Sequence, residues 1–475
     1  MMTRTLLAAL LLATTATTPA LAKERRAQPP EEPRAKNVIL FIGDGMGIST
    51  ITAARIYDGQ KRGETGEENS LSFEKFPNVA LVKTYNTNAQ VPDSAGTASA
   101  MHTGHKTRIG VMGIGPAAEK GVCKDALAHP LPTLGEQAKA RGLALGIVTT
   151  TRITHATPGS VYAHTADRDW EADTNIPASQ QGQGCKDIAL QLAEAQFDVA
   201  LGGGSQMFYG RNGGGRRADP AADLPAAWAA KNGGVVVRDA AGLAAAPIDK
   251  PVFGLFNPSH LTFMADRKPD STEPTLTDMT AQAIARLRSD PDGYYLMVEG
   301  GRIDHAHHAG QAGYALEEAV EFARAVQYAV DHTDPAETLI MVTADHSHVF
   351  IIAGYPKRGN DILGLMVPPA GGGEDGGDGE TAPPALDGKP YTTLGYANGP
   401  GGLYKDEDGD GEHERPMPET GLRARQQALV PLGAETHGGE DVALFATGPG
   451  ASRARGVIEQ NVIYTIITKA LGWER

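Results

Sequence analysis

The chain has 475 residues, of which 41% are hydrophobic and 21% charged. This length suits one large α/β domain with insertions or two domains, and the apolar share supports a substantial hydrophobic core. Acidic residues outnumber basic ones by 57 to 43, which gives a formal net charge of −14. Such a charge repels polyanions and excludes a general binder of nucleic acids or anionic membrane surfaces. An anionic substrate would therefore need a local positive site.

The first 22 residues have the pattern of a secretion signal peptide. Arg4 gives a positive start, residues 6–13 are apolar, and residues 20–22 form an A-x-A cleavage site. The apolar run is too short to cross a bilayer, and no later stretch is long enough. Residues 23–36 are charged and proline-rich, as is typical of a flexible linker. We expect an exported protein, periplasmic or secreted, whose catalytic domain spans 37–475.

Apolar strands alternate with helical patterns along the mature chain. Uninterrupted apolar strands are usually covered on both faces, which favours a mostly parallel sheet between two layers of helices. The predicted strands are 37–42, 143–148, 198–201, 294–298, 338–342 and 442–446. The predicted helices are 134–140 behind a Thr133/Glu136 capping box, 186–195, 276–288, 314–330 and 457–471. The predicted fold class is therefore a doubly wound α/β domain, with residues 205–250 forming an excursion from the sheet.

Carboxylates and histidines stand at the ends of several predicted strands. They are Asp44 after the first strand, Glu299, Asp304, His305, His307 and His308 after the fourth, Asp345, His346 and His348 after the fifth, and Glu435 and His437 before the last. Ligands of open α/β sheets bind beyond the carboxyl ends of the strands, and these donors suit zinc or another divalent ion. One such aspartate is usually a turn or helix cap, but four such strand ends favour a metal centre. His348 and His332 keep the alternative of satisfied core histidines.

The segment V-P-D-S-A-G-T-A at residues 91–98 predicts a closely packed helix that begins at Asp93 or Ser94. The Ser94 hydroxyl either caps this helix or acts as a nucleophile, since a helix N-terminus attracts anions and a metal ion can ionise a hydroxyl. No G-x-S-x-G motif is present, so a Ser-His-Asp hydrolase is not supported. Metal activation is the better explanation for a nucleophilic Ser94.

The chain contains two cysteines, Cys123 and Cys185. In an exported protein an even number of cysteines is most simply explained by a disulfide. Two free thiols or two metal ligands are the alternatives, although the separation resembles no zinc-site spacing. We expect one structural disulfide.

Seven segments resemble the motifs of alkaline phosphatases, especially those of the animal-type branch. They occur in the family's order over nearly the whole mature chain. They read N-V-I-L-F-I-G-D-G-M-G, V-P-D-S-A-G-T-A, V-T-T-T-R-I-T-H-A-T-P, Y-A-H-T-A-D-R, V-E-G-G-R-I-D-H-A-H-H, V-T-A-D-H-S-H and E-T-H-G-G-E-D-V-A. The resemblance implies an alkaline-phosphatase-like fold, hydrolysis of small phosphate monoesters through a phosphoserine, and a homodimer.

The resemblance also implies two zinc ions and one magnesium ion. The first donor set for zinc is Asp304, His308 and His437, the second is Asp44, Ser94, Asp345 and His346, and the third, for magnesium, is Asp44, Thr157 and Glu299. Ser94 would be the nucleophile, and Arg168 would bind two phosphate oxygens through its planar guanidinium. Asp93, His155, His305 and His348 would support these residues from just outside the donor sets.

This chain departs from the animal-type pattern in three places. The branch carries a further calcium site, but Asn257 stands after Phe256 where the branch has glutamate, so we do not expect calcium beside Glu273. Residues 356–430 would correspond to the family's variable surface crown. The C-terminal residues lack a hydrophobic tail, so we expect no lipid anchor.

Two other functions remain open at this level. A phosphodiesterase on the same scaffold would use the same ions, although Arg168 and a third metal site favour a dianionic monoester. A secreted metal- or phosphate-binding protein would keep the ligands and form no phosphoenzyme. A related sulfatase is not supported, because residues 91–96 lack its C/S-x-P-x-R motif.

Overall fold

The computed structural model describes residues 33–372, 378–402, 404, 406, 411 and 414–473. The predicted signal peptide and most of the predicted linker lie outside these residues. Ala35, within the last part of that linker, is buried, and its N–H donates to the carbonyl oxygen of Ala470 at 2.8 Å. No helix in the described ranges has the length and apolar character needed to cross a membrane.

The strands of the described part form one large sheet and two small ones. In chain order they are β1 (Asn37–Gly43), β2 (Asn78–Lys83), β3 (Ala144–Arg152), β4 (Val199–Gly203), β5 (Val235–Val237), β6 (Val252–Leu255), β7 (Tyr294–Glu299), β8 (Thr338–Ala344), β9 (Ser347–His348), β10 (Phe350–Ile352), β11 (Leu394–Gly399), β12 (Ala428–Pro431), β13 (His437–Gly438), β14 (Val442–Thr447) and β15 (Gly456–Glu459).

The large sheet has ten strands in the order β15-β2-β14-β8-β1-β7-β3-β4-β6-β5. All neighbours pair in parallel except β14, which is antiparallel to both β8 and β2. Strand β2 therefore reaches the rest of the sheet only through β14, which comes much later in the chain. The mostly parallel sheet predicted from the apolar runs is confirmed.

Helices cover both faces of this sheet. They are α1 (Ile48–Lys61), α2 (Ser94–Thr103), α3 (Cys123–Ala128), α4 (Leu134–Ala140), α5 (Ala156–Gly159), α6 (Ile188–Glu194), α7 (Leu224–Asn232), α8 (Ala240–Ala245), α9 (Leu276–Leu287), α10 (Arg302–His308), α11 (Ala312–His332) and α12 (Val462–Ala470). On β3, Leu145 faces Gly135 of α4, whereas its neighbour Gly146 faces Leu287 of α9. Since successive strand residues point to opposite faces, α4 and α9 lie on opposite sides.

Two sequence-based boundaries were wrong. Within the predicted excursion at 205–250, β5 returns to the edge of the large sheet beside β6. The predicted helix 457–471 begins only at Val462, because residues 456–459 form β15 and pair with β2. By contrast, the predicted capping box of α4 is confirmed, with Thr133 N donating to Glu136 Oε2 at 2.9 Å and Glu136 N to Thr133 Oγ1 at 3.2 Å.

The region predicted as a crown holds two strands of a separate three-stranded sheet, in the order β10-β11-β12. Between β10 and β11, the described residues 353–372 and 378–393 contain no helix or strand. Strand β10 follows the end of β8 closely, so this small sheet lies near the strand ends that carry the candidate site.

Candidate active site

The candidate site lies at one edge of the large sheet, where the parallel strands β8, β1 and β7 end side by side. Asp44 follows β1, Asp345 follows β8, and Glu299 is the last residue of β7. Because β14 is antiparallel to β8, it begins at this edge, and His437 precedes it. The topology explains why three carboxylates follow their strands while one histidine comes before its strand.

The first donor set, Asp304, His308 and His437, converges on one point. His308 Nε2 and His437 Nε2 lie 3.2 Å apart, at 3.2 and 3.4 Å from Asp304 Oδ1. His308 Nδ1 lies 2.6 Å from the Glu435 carbonyl oxygen, and His437 Nδ1 lies 2.8 Å from the Pro92 carbonyl oxygen. Carbonyl oxygens only accept, so each Nδ1 carries the proton and each Nε2 presents a lone pair. Two lone pairs beside a carboxylate suit a divalent cation.

His348 lies against this set, between two carboxylates. Its Nε2 is 2.8 Å from Asp304 Oδ1, and its Nδ1 donates to the buried carboxylate of Glu435. Burial lowers the pKa of His348, but the hydrogen bonds to Asp304 and Glu435 outweigh burial and raise it to about 10. A protonated His348 orients Asp304. The sequence analysis gave Glu435 no role of its own, although its place two residues before His437 was a usable signal.

The second donor set is fully assembled around His346. His346 Nε2 lies 3.3 Å from Asp44 Oδ1, 3.3 Å from Asp345 Oδ2 and 3.1 Å from Ser94 Oγ. His346 Nδ1 faces the Ser347 carbonyl oxygen at 3.2 Å, so Nε2 is again the free lone pair. Burial raises the pKa of Asp44 well above its usual range, and the charge of Asp345 raises it further. Asp44 and Asp345 are both buried and their negative charges repel each other, and a bound cation would relieve this repulsion.

The third donor set contains unsatisfied buried atoms. Thr157 Oγ1 donates to Asp44 Oδ2 at 3.4 Å, and Thr151 Oγ1 donates to Glu299 Oε2 at 3.1 Å. Asp44 Oδ1, Glu299 Oε1 and His155 Nδ1 are buried and have no hydrogen-bond partner among the described residues. Burial raises the pKa of Glu299 to about 7. One donor atom each from Asp44, His155 and Glu299 lies within 4.8 Å of the others, so the structure brings His155, expected just outside this set, beside the two carboxylates. The carboxylates suit magnesium, whereas an imidazole nitrogen suits a zinc-like ion better.

Ser94 is the first residue of α2, but it does not cap the helix. Asp93 is the N-cap, and its Oδ1 accepts from Gly96 N at 3.0 Å. The Ser94 hydroxyl instead faces His346 at the positive end of the helix. The capping role considered for Ser94 is therefore wrong, and its oxygen is available at the donor sets.

Arg168 lies beside the nucleophile helix. Its Nη1 donates to Asp93 Oδ2 at 3.2 Å, and its Nη2 contacts His155 Nε2 at 3.3 Å. The rings of His155 and His305 are 5.5 Å apart, and His260 lies 4.2 Å from His305. The sequence analysis missed His260, because it stands in a loop that follows no predicted strand.

Two of the remaining histidines are explained without a ligand role. His307 Nε2 contacts Thr50 Oγ1 at 2.9 Å, and His307 Nδ1 contacts the Tyr396 hydroxyl at 2.8 Å. His332 stacks on Tyr328 at the end of α11, with ring centroids 3.8 Å apart. His307 is buried and structural, whereas His332 is exposed, so the interpretation of His332 as a core histidine was wrong.

Glu273, the carboxylate nearest the calcium position of the animal-type branch, is held by donors of the protein. Its Oε1 accepts from Asn257 Nδ2 at 2.6 Å and from Thr262 Oγ1 at 3.1 Å, and its Oε2 accepts from Thr262 N at 2.8 Å. The guanidinium of Arg267 lies 3.8 Å from the same carboxylate.

The expected disulfide between Cys123 and Cys185 is confirmed. The bridge belongs to a small hydrophobic cluster that is separate from the main core. This cluster also contains Ala166, Trp170 and Ile176. Arg168 lies between two members of this cluster, so the bridge stabilises the segment that carries the guanidinium.

Comparison with known proteins identifies the family of this chain. The sequence profile of the family "Alkaline phosphatase" matches residues 35–473. The chain is 45% identical to the tissue-nonspecific alkaline phosphatase of Gallus gallus over 449 residues, covering 90% of this chain and 83% of that protein. It is 43% identical to the corresponding Homo sapiens isozyme over 92% of this chain and 83% of that protein. It is 44% identical to an alkaline phosphatase of Gadus morhua over 90% of both chains.

Solved structures share the fold at lower identity. The alkaline phosphatase of Thermus thermophilus matches with a TM-score of 0.67 and 23% identity, over 97% of this chain and 96% of that one. The enzyme of the Antarctic bacterium TAB5 matches with a TM-score of 0.63 and 22% identity, over 94% and 100%. A mutant of the TAB5 enzyme carries Mg in its M3 site. The matched residues, the shared fold and the identity to curated relatives lead to one conclusion: the chain belongs to the alkaline phosphatase family, whose members are metal-dependent phosphoric monoester hydrolases.

Proposed function

We propose that this protein hydrolyses phosphate monoesters to alcohol and phosphate through a phosphoserine on Ser94, with two zinc ions and one magnesium ion in the three donor sets. The observation that carries the proposal is the position of Ser94 Oγ. It stands at the N-terminus of α2, free of any capping role and 3.1 Å from His346 Nε2. A nucleophile in this place faces both a helix dipole and the lone pair of a metal-binding histidine.

The chain's own residues account for binding and orientation. Arg168 binds two oxygens of the phosphate through its fork of N–H donors, and Asp93 holds that fork in place. Ser94 Oγ then attacks phosphorus in line with the leaving oxygen, which departs with a proton as the alcohol. Water displaces phosphate from Ser94 in a second in-line step, so configuration at phosphorus is retained overall. Bound metal ions would supply positive charge to the attacking and leaving oxygens and lower the pKa of the serine hydroxyl.

Several features favour monoesters over diesters. A monoester dianion carries one more negative charge than a diester, so a site rich in positive charge stabilises it more strongly. The guanidinium of Arg168 supplies part of this charge beside the nucleophile. The buried carboxylates of Asp44, Glu299 and Asp345 would bind cations that supply the rest and offset the negative net charge of the protein.

The site belongs, in our proposal, to an exported homodimer that is periplasmic or secreted. The signal-like first 22 residues and the disulfide support export, since disulfides persist in oxidising compartments. The exposed Leu429 and Val430 on the edge strand β12 support a partner surface on the small sheet.

The proposal is tested by comparing a chromogenic monoester with its matching diester, before and after chelation and with metal analysis. We expect monoester turnover that disappears when chelation removes the zinc and returns when zinc and magnesium are added back. Acid-quenched protein should carry a phosphate ester on the peptide that contains Ser94, and Ser94→Ala should lose this ester while keeping its metal content. Ser99→Ala, on the same helix, should behave as wild type in turnover. Diester preference would indicate a phosphodiesterase, and metal without turnover would indicate a binding protein.

A further inference from the structure

The helix that carries Ser94 contains a buried histidine that takes no part in the proposed chemistry. His102 lies in the last turn of α2 and is completely buried. Its Nδ1 is 2.9 Å from the Ala98 carbonyl oxygen and 2.9 Å from Ser160 Oγ. Ser160 follows the short helix α5, which carries Thr157 of the third donor set.

The direction of these hydrogen bonds can be worked out from their partners. Burial lowers the pKa of His102 to about 4, so the ring is neutral and has one N–H. The Ala98 carbonyl oxygen only accepts, which places this proton on Nδ1. This single N–H is shared between the Ala98 carbonyl oxygen and Ser160 Oγ, and Ser160 donates its own proton to the Thr157 carbonyl oxygen at 2.7 Å. The chain of contacts links the nucleophile helix to the backbone of a predicted magnesium ligand.

The other side of the ring faces the strand of a second magnesium ligand. His102 Nε2 and the Tyr295 hydroxyl are both buried and have no hydrogen-bond partner within the described residues. The two rings lie edge to face, with centroids 6.2 Å apart. Tyr295 is on β7, the strand that ends at Glu299. His102 thus lies where the elements that carry Ser94, Thr157 and Glu299 come together.

We propose that His102 is a positioning residue that holds the Thr157 turn in register with the nucleophile helix through Ser160. The inference rests on the proposed magnesium set of Asp44, Thr157 and Glu299. The Ser160 hydroxyl adds a hydrogen bond to the Thr157 carbonyl oxygen, in a turn that is also held by Gly159 N donating to His155 O at 2.9 Å and Ser160 N to Ala156 O at 3.0 Å. Magnesium demands nearly ideal octahedral geometry, so a small displacement of this turn should weaken magnesium binding. The same displacement should have little effect on the free energy of unfolding.

The first test compares Ser160→Ala with a matched control, Ser99→Ala. Both serines are completely buried, and the Ser99 hydroxyl accepts from Gly113 N at 3.1 Å, so each variant loses a buried hydrogen bond. Magnesium binding is measured by equilibrium dialysis with zinc present, and by the rise in melting temperature on adding magnesium. We expect Ser160→Ala to weaken magnesium binding about tenfold, as removal of an orienting partner usually does. Ser99→Ala should lose comparable stability and keep wild-type magnesium affinity.

The second test varies the histidine itself. In His102→Asn the side-chain amide can replace the Nδ1 donor, so magnesium affinity should stay near the wild-type value. His102→Leu removes the donor and should reproduce the weakened binding of Ser160→Ala.

The outcomes separate this inference from the function on which it rests. Equal magnesium affinity in Ser160→Ala and Ser99→Ala, or unchanged affinity in His102→Leu, would show that His102 only stabilises the fold. If Glu299→Gln binds magnesium as well as wild type, or wild type binds none, the magnesium set itself is wrong and the role of His102 falls with it.

Discussion

A histidine can bind a metal ion only through a nitrogen that the protein leaves free. In His308, His346 and His437 a backbone carbonyl oxygen faces Nδ1, which leaves Nε2 free to face the donor sets. In His307 both nitrogens are already engaged by Thr50 and Tyr396. The sequence places all of these histidines near strand ends, so spacing alone could not separate the predicted ligands from His307.

Arg168→Lys should raise KM for a monoester about tenfold or more and weaken inhibition by phosphate, with a smaller change in kcat. A lysine ammonium cannot bind two phosphate oxygens at once or keep the contact with Asp93 in the same geometry. Steady-state kinetics and phosphate inhibition constants measure the effect. Arg217→Lys is the control. Arg217 donates from Nη1 and Nη2 to the two carboxylate oxygens of Asp187, so it makes a similar two-pronged contact outside the donor sets. Unchanged KM and inhibition in Arg168→Lys would exclude it from the phosphate site.

Among the elements, the strands that the sequence predicts are the uninterrupted apolar runs. All six runs form strands, because burial on both faces leaves a continuous apolar signal. Strand β2 was missed because its alternate residues are exposed, and β5 and β15 because they are short and lie at the sheet edges. Strand β6 was missed although all four of its residues are buried, because Gly254 interrupts its short apolar run. The direction of β14 could not be predicted either, because no local pattern distinguishes a parallel strand from an antiparallel one.

The donor sets, like the strands, could be predicted only in part from the sequence. The sequence supplied the residue types and, through family resemblance, their grouping. It could not supply the orienting contacts, such as Glu435 with His348 or Arg302 with His305, whose Nη1 and Nδ1 are 3.0 Å apart. These contacts join residues that are distant in the chain, or depend on how a helix turns its side chains.

The disulfide-linked cluster gives a prediction for the element that carries Arg168. Replacing Cys123 and Cys185 by serine should lower the free energy of unfolding by about 4 kcal/mol, the chain-entropy value for a loop of 62 residues. It should also raise KM more than it lowers kcat, because Ala166 and Trp170 of the same cluster flank Arg168. Calorimetry and kinetics with and without reductant test this, and the double variant should itself be insensitive to reductant. A wild-type KM in the double variant would separate the bridge from the phosphate site.

For the whole molecule, the buried acids make stability depend on metal and pH together. The pKa of Glu299 rises from 4.5 to about 7 on burial, and Asp44 and Asp345 are raised too. Through these three acids the folded, metal-free protein binds more protons than the unfolded chain does, so the stability that they contribute is lost as pH rises from about 5 to 8. For Glu299 alone this amounts to about 3 kcal/mol. The raised pKa of His348 acts in the same direction between pH 6.5 and about 10.

Melting temperatures of chelated and metal-loaded protein at several pH values check this expectation. The chelated protein should lose stability towards pH 8, whereas the loaded protein should change little, because bound cations neutralise the carboxylates. Glu299→Gln should reduce the slope of the chelated protein. Parallel pH profiles for the two forms would contradict the assignment of these acids to metal sites.

The place of β14 in the large sheet has a consequence for how the molecule is completed. Strand β2 is made early, yet its neighbours in the sheet are β14 and β15, both close to the C-terminus. Until β14 inserts between β8 and β2, the early strand has no sheet to join, and the first donor set lacks His437. A chain that emerges from its N-terminus during synthesis thus acquires the strand that joins β2 to the sheet and its last predicted zinc ligand in one event. Hydrolytic activity would then begin only when the chain is finished, and would itself report that folding is complete.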